Sequence, residues 1–426
     1  MEGSTLSDTA AEITNQTIAR YEKFVNPGMV QLLKFMGLES VEEEAEGCFV
    51  VAADGERYLD CLGGPGVFTA GHRHPRIIAA LKAQADRMPL SSHILMDPVM
   101  AELAERIAQI TPGDLQYSFF CNSGAEAIEG ALKAARMHTG RPGFVACHGA
   151  FHGKTFGALS ASGRDVYKTP FLPLVPGFTH VPFDDADALS AAVDETTAAV
   201  IVEPIQCEGG IRVPADGYLA AARDICDRAG ALLIIDEIQT GLGRTGKMWA
   251  CDWDGVAPDI MTLGKAIGGG VMPMGAFVAR PEIWDIFAEN PYVHTSTFGG
   301  NPLACAVALE ALRVLEEENL TACCAARGAQ LLAGAKELGR EFTDLVTDVR
   351  GRGLLVGIEF PDSDIGGLVI SGLVQHKILS AFSMNNPEVL RLEPPAVITE
   401  EQIDQVIAAL REAFGHTREL LAMLNA

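Results

Sequence analysis

The sequence predicts an α/β fold in which a mostly parallel central sheet is covered by helices. Short apolar runs alternate with helical patterns from about residue 110 to residue 300, as expected of the strand and helix units of a parallel sheet. The runs that end at Asp236 and at Glu203 are almost entirely apolar, which is typical of strands buried on both faces. The 426 residues are 48% hydrophobic and 21% charged, an ordinary composition for a protein with a large core.

The two ends of the chain predict a second, smaller domain. Residues 1–47 are polar and predict an arm of one or two helices, and Asp54-Gly55 between two strand-like runs predicts a hairpin over residues 49–60. A composition shift near residue 310 begins a last region, and two domains are expected for a chain of this length. The predicted limits are 1–75 for the N-terminal arm and small-domain segment, 76–310 for the large domain and 311–426 for the C-terminal small domain.

One arginine of the last region is a candidate binding residue. Helices are predicted over 303–318 and 321–340, and strands over 354–360 and 389–395. In the second strand, period-two alternation places Leu390 and Leu392 on one face and Arg391 on the other. The other charges of this region are expected on solvated faces. Thr399 and Gln402 have the spacing of a capping box and predict the start of the terminal helix.

Net charge and residue spacing disfavour several classes of protein. A formal net charge of −24 disfavours nucleic acids and anionic membrane surfaces as partners, because they would be repelled. No apolar run approaches the length that spans a bilayer. The ten cysteines lack metal-ligand spacing, so no metal site is predicted, and we expect buried thiols in a reducing compartment. Residues 1–30 contain Glu2, Asp8 and Glu12 and no apolar segment of a secretory signal, so we expect a cytoplasmic protein.

An acid and an amine stand at the ends of two strands that are close in sequence. Asp236 ends one buried strand, and Lys265 follows a second short apolar run, ahead of three glycines. The segment between them is long enough for one crossover connection. Because ligands of open α/β sheets bind at the carboxyl ends of the strands, we expect both side chains to face one pocket.

This pair of side chains suits pyridoxal phosphate. A lysine can hold the cofactor as a Schiff base, while an aspartate keeps the pyridine nitrogen protonated so that the ring withdraws electrons from a substrate carbanion. Gln239, one turn after Asp236, is placed to donate to the phenolic oxygen. Taken singly, Lys265 also suits a solvated loop and Asp236 a helix cap.

Residues after two further strands complete the candidate cofactor site. Ser123, Gly124 and Ala125 open a helix after an aromatic strand, and the free amides of a helix N-terminus bind anions such as phosphate. A simple N-cap is the alternative interpretation. Phe151 follows the next strand, where an aromatic ring can lie flat on a planar heterocycle, although such a residue is also typical of a core.

A nucleotide hydrolase is the alternative from another class. An apolar strand followed by Asp236 and Glu237 also suits a magnesium-binding carboxylate, and residues 149–155 are similar to a phosphate loop. That loop is one residue too short, since only three residues separate Gly149 from the Gly-Lys pair, and His148 stands where the glycine is needed. The hydrolase interpretation is therefore disfavoured.

The order and spacing of the motifs resemble those of class III pyridoxal-phosphate aminotransferases over nearly the whole chain. The motifs are Asn122-Ser-Gly-Ala-Glu-Ala, Phe151-His-Gly, Glu203-Pro-Ile-Gln, Asp236-Glu-Ile-Gln-Thr-Gly, Lys265-Ala-Ile-Gly-Gly-Gly and Thr297-Phe-Gly-Gly-Asn-Pro. Within the family, the likeness is greatest to putrescine-specific bacterial members, on stretches such as Phe24-Val-Asn-Pro-Gly and Gly269-Gly-Val-Met-Pro. The resemblance implies the fold-type-I architecture, with a large cofactor-binding domain and a smaller α+β domain built from N- and C-terminal segments.

The resemblance also implies a role for individual residues. It makes Lys265 the Schiff-base lysine and the base that moves the substrate proton, and Asp236 the partner of the pyridinium. The remaining implied cofactor contacts are Gln239 to the phenolic oxygen, Phe151 as the stacking ring, Ser123, Gly124 and Ala125 at the phosphate, and His152 and Glu203 as further binding residues. Thr297 is implied to reach the phosphate of the neighbouring subunit, so the site is expected to need a homodimer.

A glutamate and an arginine are implied as the substrate-binding pair. In ornithine-type relatives the arginine at the position of Arg391 binds the α-carboxylate of glutamate or 2-oxoglutarate, and the glutamate matching Glu208 neutralises it while an ω-amine is bound. A bidentate contact to a carboxylate would displace Glu208. Cys207 stands where the family usually has glycine, so the backbone beside Glu208 is expected to differ.

The resemblance thus predicts an aminotransferase that takes the amino group of an ω-amine, putrescine or a similar diamine, and gives it to 2-oxoglutarate. The products are an aminoaldehyde and glutamate. Acetylornithine, ornithine or 4-aminobutyrate are the alternative donors, and an aminomutase or decarboxylase on the same scaffold comes next. The alternatives outside this chemistry are the nucleotide hydrolase and a catalytically idle homologue.

Overall fold

The computed structural model of the protein describes residues 3–424. Within these residues the helices, numbered in chain order, are α1 (Gly3–Phe24), α2 (Pro27–Phe35), α3 (Gly63–Gly66), α4 (Pro75–Arg87), α5 (Pro98–Ile110), α6 (Gly124–Thr139), α7 (Phe156–Ala161), α8 (Asp165–Lys168), α9 (Ala186–Ala192), α10 (Tyr218–Ala229), α11 (Pro281–Glu289), α12 (Pro302–Glu317), α13 (Leu320–Glu341), α14 (Ser363–Gln375) and α15 (Glu400–Leu424). Of these helices, none is long and apolar enough to cross a membrane.

The strands of the described residues form three sheets. They are β1 (Glu42–Glu46), β2 (Phe49–Ala52), β3 (Arg57–Asp60), β4 (Tyr117–Cys121), β5 (Gly143–Cys147), β6 (Phe178–Val181), β7 (Thr197–Val202), β8 (Leu232–Asp236), β9 (Ile260–Leu263), β10 (Gly275–Ala279), β11 (Asp348–Gly351), β12 (Val356–Glu359), β13 (Ile378–Leu379), β14 (Ala381–Ser383) and β15 (Asn386–Leu392).

The central sheet has seven strands in the order β4-β10-β9-β8-β7-β5-β6. Only β10 runs against its neighbours, and the pairs β9-β8, β8-β7, β7-β5 and β5-β6 are parallel. The predicted α/β fold with a mostly parallel sheet is therefore confirmed. The carboxyl ends of six strands, including β4, β8 and β9, lie at one edge, which is where such sheets bind ligands.

Apolar side chains cover both faces of this sheet. In β8, Ile234 belongs to one buried cluster with Phe144 and Ile128, whereas Leu233 and Ile235 belong to a second, larger cluster. Since successive side chains of a strand point to opposite faces, the two clusters pack against the two faces. This double burial explains why the strand is apolar until Asp236.

Two smaller sheets are built from the ends of the chain. One has the order β1-β2-β3-β13 and the other β11-β12-β15-β14. The predicted hairpin is confirmed by the antiparallel pair β2-β3, and the predicted N-terminal helices by α1 and α2, whereas β1 lies in a segment expected to be an arm. The limits 1–75, 76–310 and 311–426 remain predictions.

Local hydrogen bonds confirm the predicted start of the last helix. The backbone amide of Thr399 donates to Gln402 Oε1 over 2.9 Å, and the amide of Gln402 donates to Thr399 Oγ1 over 3.2 Å, as in a capping box. Nine of the ten cysteines are buried and Cys323 is half-buried, so the expectation of buried thiols is largely confirmed.

Candidate active site

A cavity of about 290 Å³ opens at the carboxyl ends of β5, β7, β8 and β9. Its wall includes Phe151, Glu203, Asp236 and Lys265, each of which follows or ends one of these strands. The volume lies near the lower end of the range for small-molecule sites, about 300 to 1000 Å³. The acid and the amine selected from the sequence therefore line one cavity, because their strands are parallel neighbours in the sheet.

Asp236 is a buried acid held by three donors. Its Oδ2 lies 2.7 Å from His152 Nδ1, and its Oδ1 accepts from the amide of Ile238 at 3.0 Å and from Thr262 Oγ1 at 3.2 Å. His152 is buried too, and its Nε2 is buried without a hydrogen-bond partner in the described part of the chain. Asp236 is thus fixed in orientation before any ligand binds.

Lys265 presents its amine from a strained backbone. It follows β9 after Gly264 and has a φ of +48°, a left-handed conformation that is uncommon for any residue except glycine. Its Nζ donates to Gln239 Oε1, and the Nε2 of the same amide donates to Glu393 Oε2 over 2.8 Å. The expected contact of Gln239 with a phenolic oxygen remains a prediction.

The N-terminus of α6 forms one wall of the cavity. Ser123 caps the helix, since its Oγ accepts from the amide of Glu126 at 3.2 Å, and Gly124 and Ala125 line the cavity. A Cβ at Gly124 would lie 2.8 Å from Ile238 Cδ1, so glycine permits the close approach of the segment after β8. The structure therefore shows the N-cap and also leaves first-turn amides at the cavity for an anion.

Glu203 is a buried carboxyl group in the same wall. Its Oε2 accepts from the amide of Phe151 over 3.1 Å, which positions the aromatic residue at the cavity. Burial and the nearby charge of Asp236 raise the pKa of Glu203 well above its usual range. Burial thus favours the uncharged form of Glu203.

Glu208 and Arg391 form a buried ion pair. Arg391 Nη1 donates to Glu208 Oε1 over 2.5 Å, and the amide of Met384 donates to Glu208 Oε2 over 2.9 Å. Burial is the largest single influence and would raise the pKa of Glu208, but the charges of Arg391 and Lys265, together with the hydrogen bonds from Met384 and Arg391, hold that pKa below its usual range. Burial likewise opposes the charge of Arg391, and the carboxylates of Glu208 and Glu393 keep its pKa raised.

Cys207 packs in a small apolar cluster directly before Glu208. The residue is buried with Ile205, Ile211 and Leu355, and it does not occur among the described residues that have a positive φ. Burial raises the pKa of its thiol well above the usual range, so it acts as a small apolar side chain. The contact between Glu208 and Arg391 forms beside Cys207, and the expected difference from a backbone with glycine remains a prediction.

Thr297 lies outside the cavity that the other predicted residues line. It is exposed, and its carbonyl oxygen is 2.8 Å from His93 Nε2. Its implied contact with the phosphate of a neighbouring subunit is not part of the geometry of a single chain. That role remains a prediction, as does the homodimer.

Two residues near the site were missed by the sequence analysis. Lys154 lines the cavity with its Nζ 3.2 Å from the centroid of the Tyr167 ring, and burial lowers its pKa. It was considered only as part of a phosphate loop. Glu393 is fully buried near Arg391, and its position two residues after Arg391 in an extended segment was the signal that could have identified it.

The residues of the cavity fit pyridoxal phosphate. An amine, a buried acid held in place by His152, an aromatic residue and the amides of a helix N-terminus surround one space. In that order, these groups suit an aldehyde, a pyridine nitrogen, a planar ring and a phosphate. The fold and this set of groups thus define an enzyme that uses pyridoxal phosphate.

Comparison with known proteins gives the family. The family model described as aminotransferase class-III matches residues 36–414. The ornithine aminotransferase from Toxoplasma gondii ME49 is 38% identical, with a TM-score of 0.85 over 89% of this chain and 91% of that chain. An aminotransferase from Bacillus anthracis is 31% identical, with a TM-score of 0.88 over 95% of this chain and 99% of that chain. The chain belongs to the class III aminotransferases.

A related structure supports the cofactor. A second structure of the Toxoplasma gondii ornithine aminotransferase, 38% identical with a TM-score of 0.84 over 89% of this chain and 91% of that chain, has pyridoxal phosphate at partial occupancy in its active site. The protein described here is therefore a pyridoxal-phosphate-dependent transferase that exchanges an amino group between an amine donor and an oxo acid acceptor.

Proposed function

We propose that this aminotransferase moves the amino group of an ω-amine, putrescine or a similar diamine, to 2-oxoglutarate. The observation that supports this most is the closed pair of Glu208 and Arg391. While the pair is closed, the guanidinium is neutralised, and a donor without an α-carboxylate meets no unpaired positive charge. A dicarboxylate acceptor opens the pair, because it replaces Glu208 with a bidentate contact of its own.

The residues around the cavity have separate tasks in this proposal. Lys265 would hold the cofactor, Asp236 would pair with its ring nitrogen, and the amides of Gly124 and Ala125 would bind its phosphate. When bound, pyridoxal phosphate supplies an electron sink for the negative charge that forms on the substrate carbon. Lys265 Nζ, held by Gln239 Oε1, takes the proton from the carbon that carries the amino group.

Other residues of the proposed site bind and orient. Phe151 would lie against the cofactor ring, with its backbone held by protonated Glu203. His152 fixes the orientation of Asp236. Thr297, which is exposed in the single chain, would complete the phosphate site of a second subunit, so the active form is proposed to be a homodimer. We place this homodimer in the cytoplasm.

Ornithine is the second candidate donor. Its support is the 38% identity to the Toxoplasma gondii ornithine aminotransferase and the 31% identity to that of Plasmodium falciparum, whose TM-score is 0.79 over 89% of this chain and 94% of that chain. Ornithine also offers an ω-amine, so the pair of Glu208 and Arg391 can stay closed while that amine reacts, provided that the α-carboxylate of ornithine is bound elsewhere in the site. Acetylornithine and 4-aminobutyrate likewise carry a carboxylate away from the reacting amine, and putrescine is the donor that needs no second site for one.

A half-reaction experiment separates these donors. Holoenzyme is mixed with one amine at a time, namely putrescine, cadaverine, ornithine, N-acetylornithine or 4-aminobutyrate, while the visible absorption of the bound cofactor is followed. We expect putrescine or cadaverine to change the spectrum and 2-oxoglutarate to restore it. Reaction with the carboxylated donors alone would contradict the diamine proposal, and no reaction with any amine would favour an aminomutase or an idle homologue.

The Lys265→Ala variant is the control for specific chemistry in that experiment. It should lose the spectral response to every amine. Lys168→Ala is the matched variant, because Lys168 is another lysine whose pKa is lowered by burial and it does not line the cavity. It should respond as the native protein does.

A further inference from the structure

A buried carboxylate, Glu393, lies between the amine and the guanidinium of the site. It directly follows β15, it is fully buried, and its backbone amide donates to the carbonyl of Cys61 over 2.6 Å. Its Oε2 accepts from Gln239 Nε2 at 2.8 Å and lies 3.8 Å from Arg391 Nε. The mechanism above gives this carboxylate no role.

The neighbours of Gln239 permit one orientation of its amide. A carboxylate only accepts hydrogen bonds, so the Nε2 of Gln239 must face Glu393, and this turns Oε1 toward Lys265. With an uncharged group that both donates and accepts in place of Glu393, either orientation would be satisfied. The carboxylate therefore determines that a carbonyl oxygen, and not an N–H group, meets the lysine amine.

Glu393 also shares its charge with two arginines. Its Oε2 is near Arg391 Nε, and its Oε1 lies 3.7 Å from Arg244 Nε. Neither Nε atom has a hydrogen-bond partner in the described residues. The Arg244 guanidinium is bound elsewhere, since its Nη1 donates to the carbonyl of Pro394 over 2.5 Å. Arg391 consequently stands between two carboxylates, Glu208 at Nη1 and Glu393 at Nε.

We propose that Glu393 is a positioning residue for the amino-transfer reaction, which orients Gln239 toward Lys265 and partly neutralises Arg391 whether or not Glu208 is bound. This inference rests on the proposed roles of Lys265 and Arg391. The charged groups that surround these two side chains are Asp236, Glu203, Glu208, Arg244, Lys154 and Glu393. Glu393 is the one among them that contacts Gln239.

The position of Glu393 has a consequence for the acceptor. When the carboxylate of 2-oxoglutarate displaces Glu208, Glu393 remains buried beside the guanidinium and weakens its attraction for the incoming anion. The acceptor product is then released more readily. Removal of the Glu393 charge should therefore strengthen the binding of a dicarboxylate, whereas damage to packing would weaken it.

The test is the Glu393→Gln holoenzyme. Glutarate is the probe, because it has two carboxylates and no carbonyl that could accept an amino group, and its dissociation constant is measured by calorimetry. We expect that constant to fall about fivefold. The pH midpoint of the visible absorption of the cofactor should fall by about half a pH unit, because a negative charge near the lysine nitrogen is lost.

Two further variants keep the test decisive. Glu393→Asp retains the charge but moves it away from Gln239 and Arg391, so both readouts should change in the same direction by smaller amounts, and it replaces Glu393→Gln if that variant does not fold. Glu359→Gln removes a carboxylate paired with Arg350 in the same sheet and should change neither readout. Weaker glutarate binding, or two unchanged readouts, would overturn the proposal.

Arg391→Gln distinguishes a failure of this inference from a failure of the proposed function. If that variant binds glutarate as well as the native protein does, Arg391 does not bind the carboxylate, and both the acceptor role and the charge-sharing role of Glu393 are wrong. If Arg391→Gln weakens binding while Glu393→Gln leaves it unchanged, only the inference about Glu393 fails.

Discussion

The lysine side and the arginine side of the active site are built in different ways. Asp236 and Lys265 sit at the ends of two adjacent parallel strands, so the sheet itself brings them together. Glu208 and Arg391 are 183 positions apart. Glu208 lies in the loop after β7 of the central sheet, and Arg391 lies in β15 of a smaller sheet. The candidate cofactor residues Asp236 and Lys265 thus depend on one sheet. The candidate substrate residues Glu208 and Arg391 depend on how two sheets pack against each other.

The largest effect is expected from a change on the lysine side. Lys265→Ala removes the amine proposed to hold the cofactor and to move the proton, so both half-reactions should slow by about four orders of magnitude or more. Stopped-flow spectroscopy of each half-reaction measures this. If one half-reaction kept its rate in this variant, Lys265 would not act in both half-reactions.

A change on the arginine side should separate the half-reactions. In Arg391→Gln, the second-order rate constant for the reaction with 2-oxoglutarate should fall about 100-fold, because the buried charged contact proposed for the acceptor is lost. The half-reaction with putrescine should change by less than about fivefold, since that donor has no carboxylate. Equal losses in both half-reactions would show that Arg391 supports the fold of the site instead of the acceptor.

The acid beside Asp236 offers a pH test of burial. Burial raises the pKa of Glu237 from 4.5 to about 7. A carboxyl group whose pKa is raised by folding favours the folded state below its unfolded pKa, and this contribution is lost as the pH rises through 7. Relative to Glu237→Gln, the native protein should therefore lose about 3 kcal/mol of unfolding free energy between pH 4.5 and pH 8. Denaturant melts at both pH values measure this difference, and a constant difference would contradict it.

The smallest effect is expected at Glu203. Burial and the nearby charge of Asp236 raise the pKa of Glu203 well above its usual range, so the uncharged form is favoured and glutamine resembles it. Glu203→Gln keeps an acceptor for the amide of Phe151, so kcat/KM should fall by less than about threefold. Asp236→Asn is the contrasting variant, since it removes the charge proposed to pair with the ring nitrogen. A large loss in Glu203→Gln would mean that Glu203 is the charged partner.

The comparison also explains how much could be predicted from the sequence. Asp236, Lys265 and Gly124 follow strand ends, and an apolar run followed by a polar residue is visible in the sequence. The convergence of Asp236 and Lys265 then follows from the parallel pairing of their strands, and the strand before Gly124 runs the same way because β4 and β9 are both antiparallel to β10. Glu393 could not be assigned in this way, because its contacts with Gln239 and Arg244 depend on how the smaller sheets pack against the large one.

Other parts of the prediction failed for a local reason. Strand β1 was expected to be part of an arm because its residues Glu42–Glu46 are mostly charged, yet it pairs with β2 at an edge, where polar side chains are tolerated. Residue Lys154 was missed because its motif was compared only with a phosphate loop. Its contact with Tyr167 arises from a helix thirteen residues further on, which no local pattern reveals.

At position 265, stability and activity favour different residues. A φ of +48° costs free energy for any side chain with a Cβ, and glycine would adopt it without that cost. Sequence drift toward a more stable protein would therefore favour the loss of the amine that we propose holds the cofactor. In that proposed role, selection for amino transfer maintains a lysine that selection for folding alone would replace.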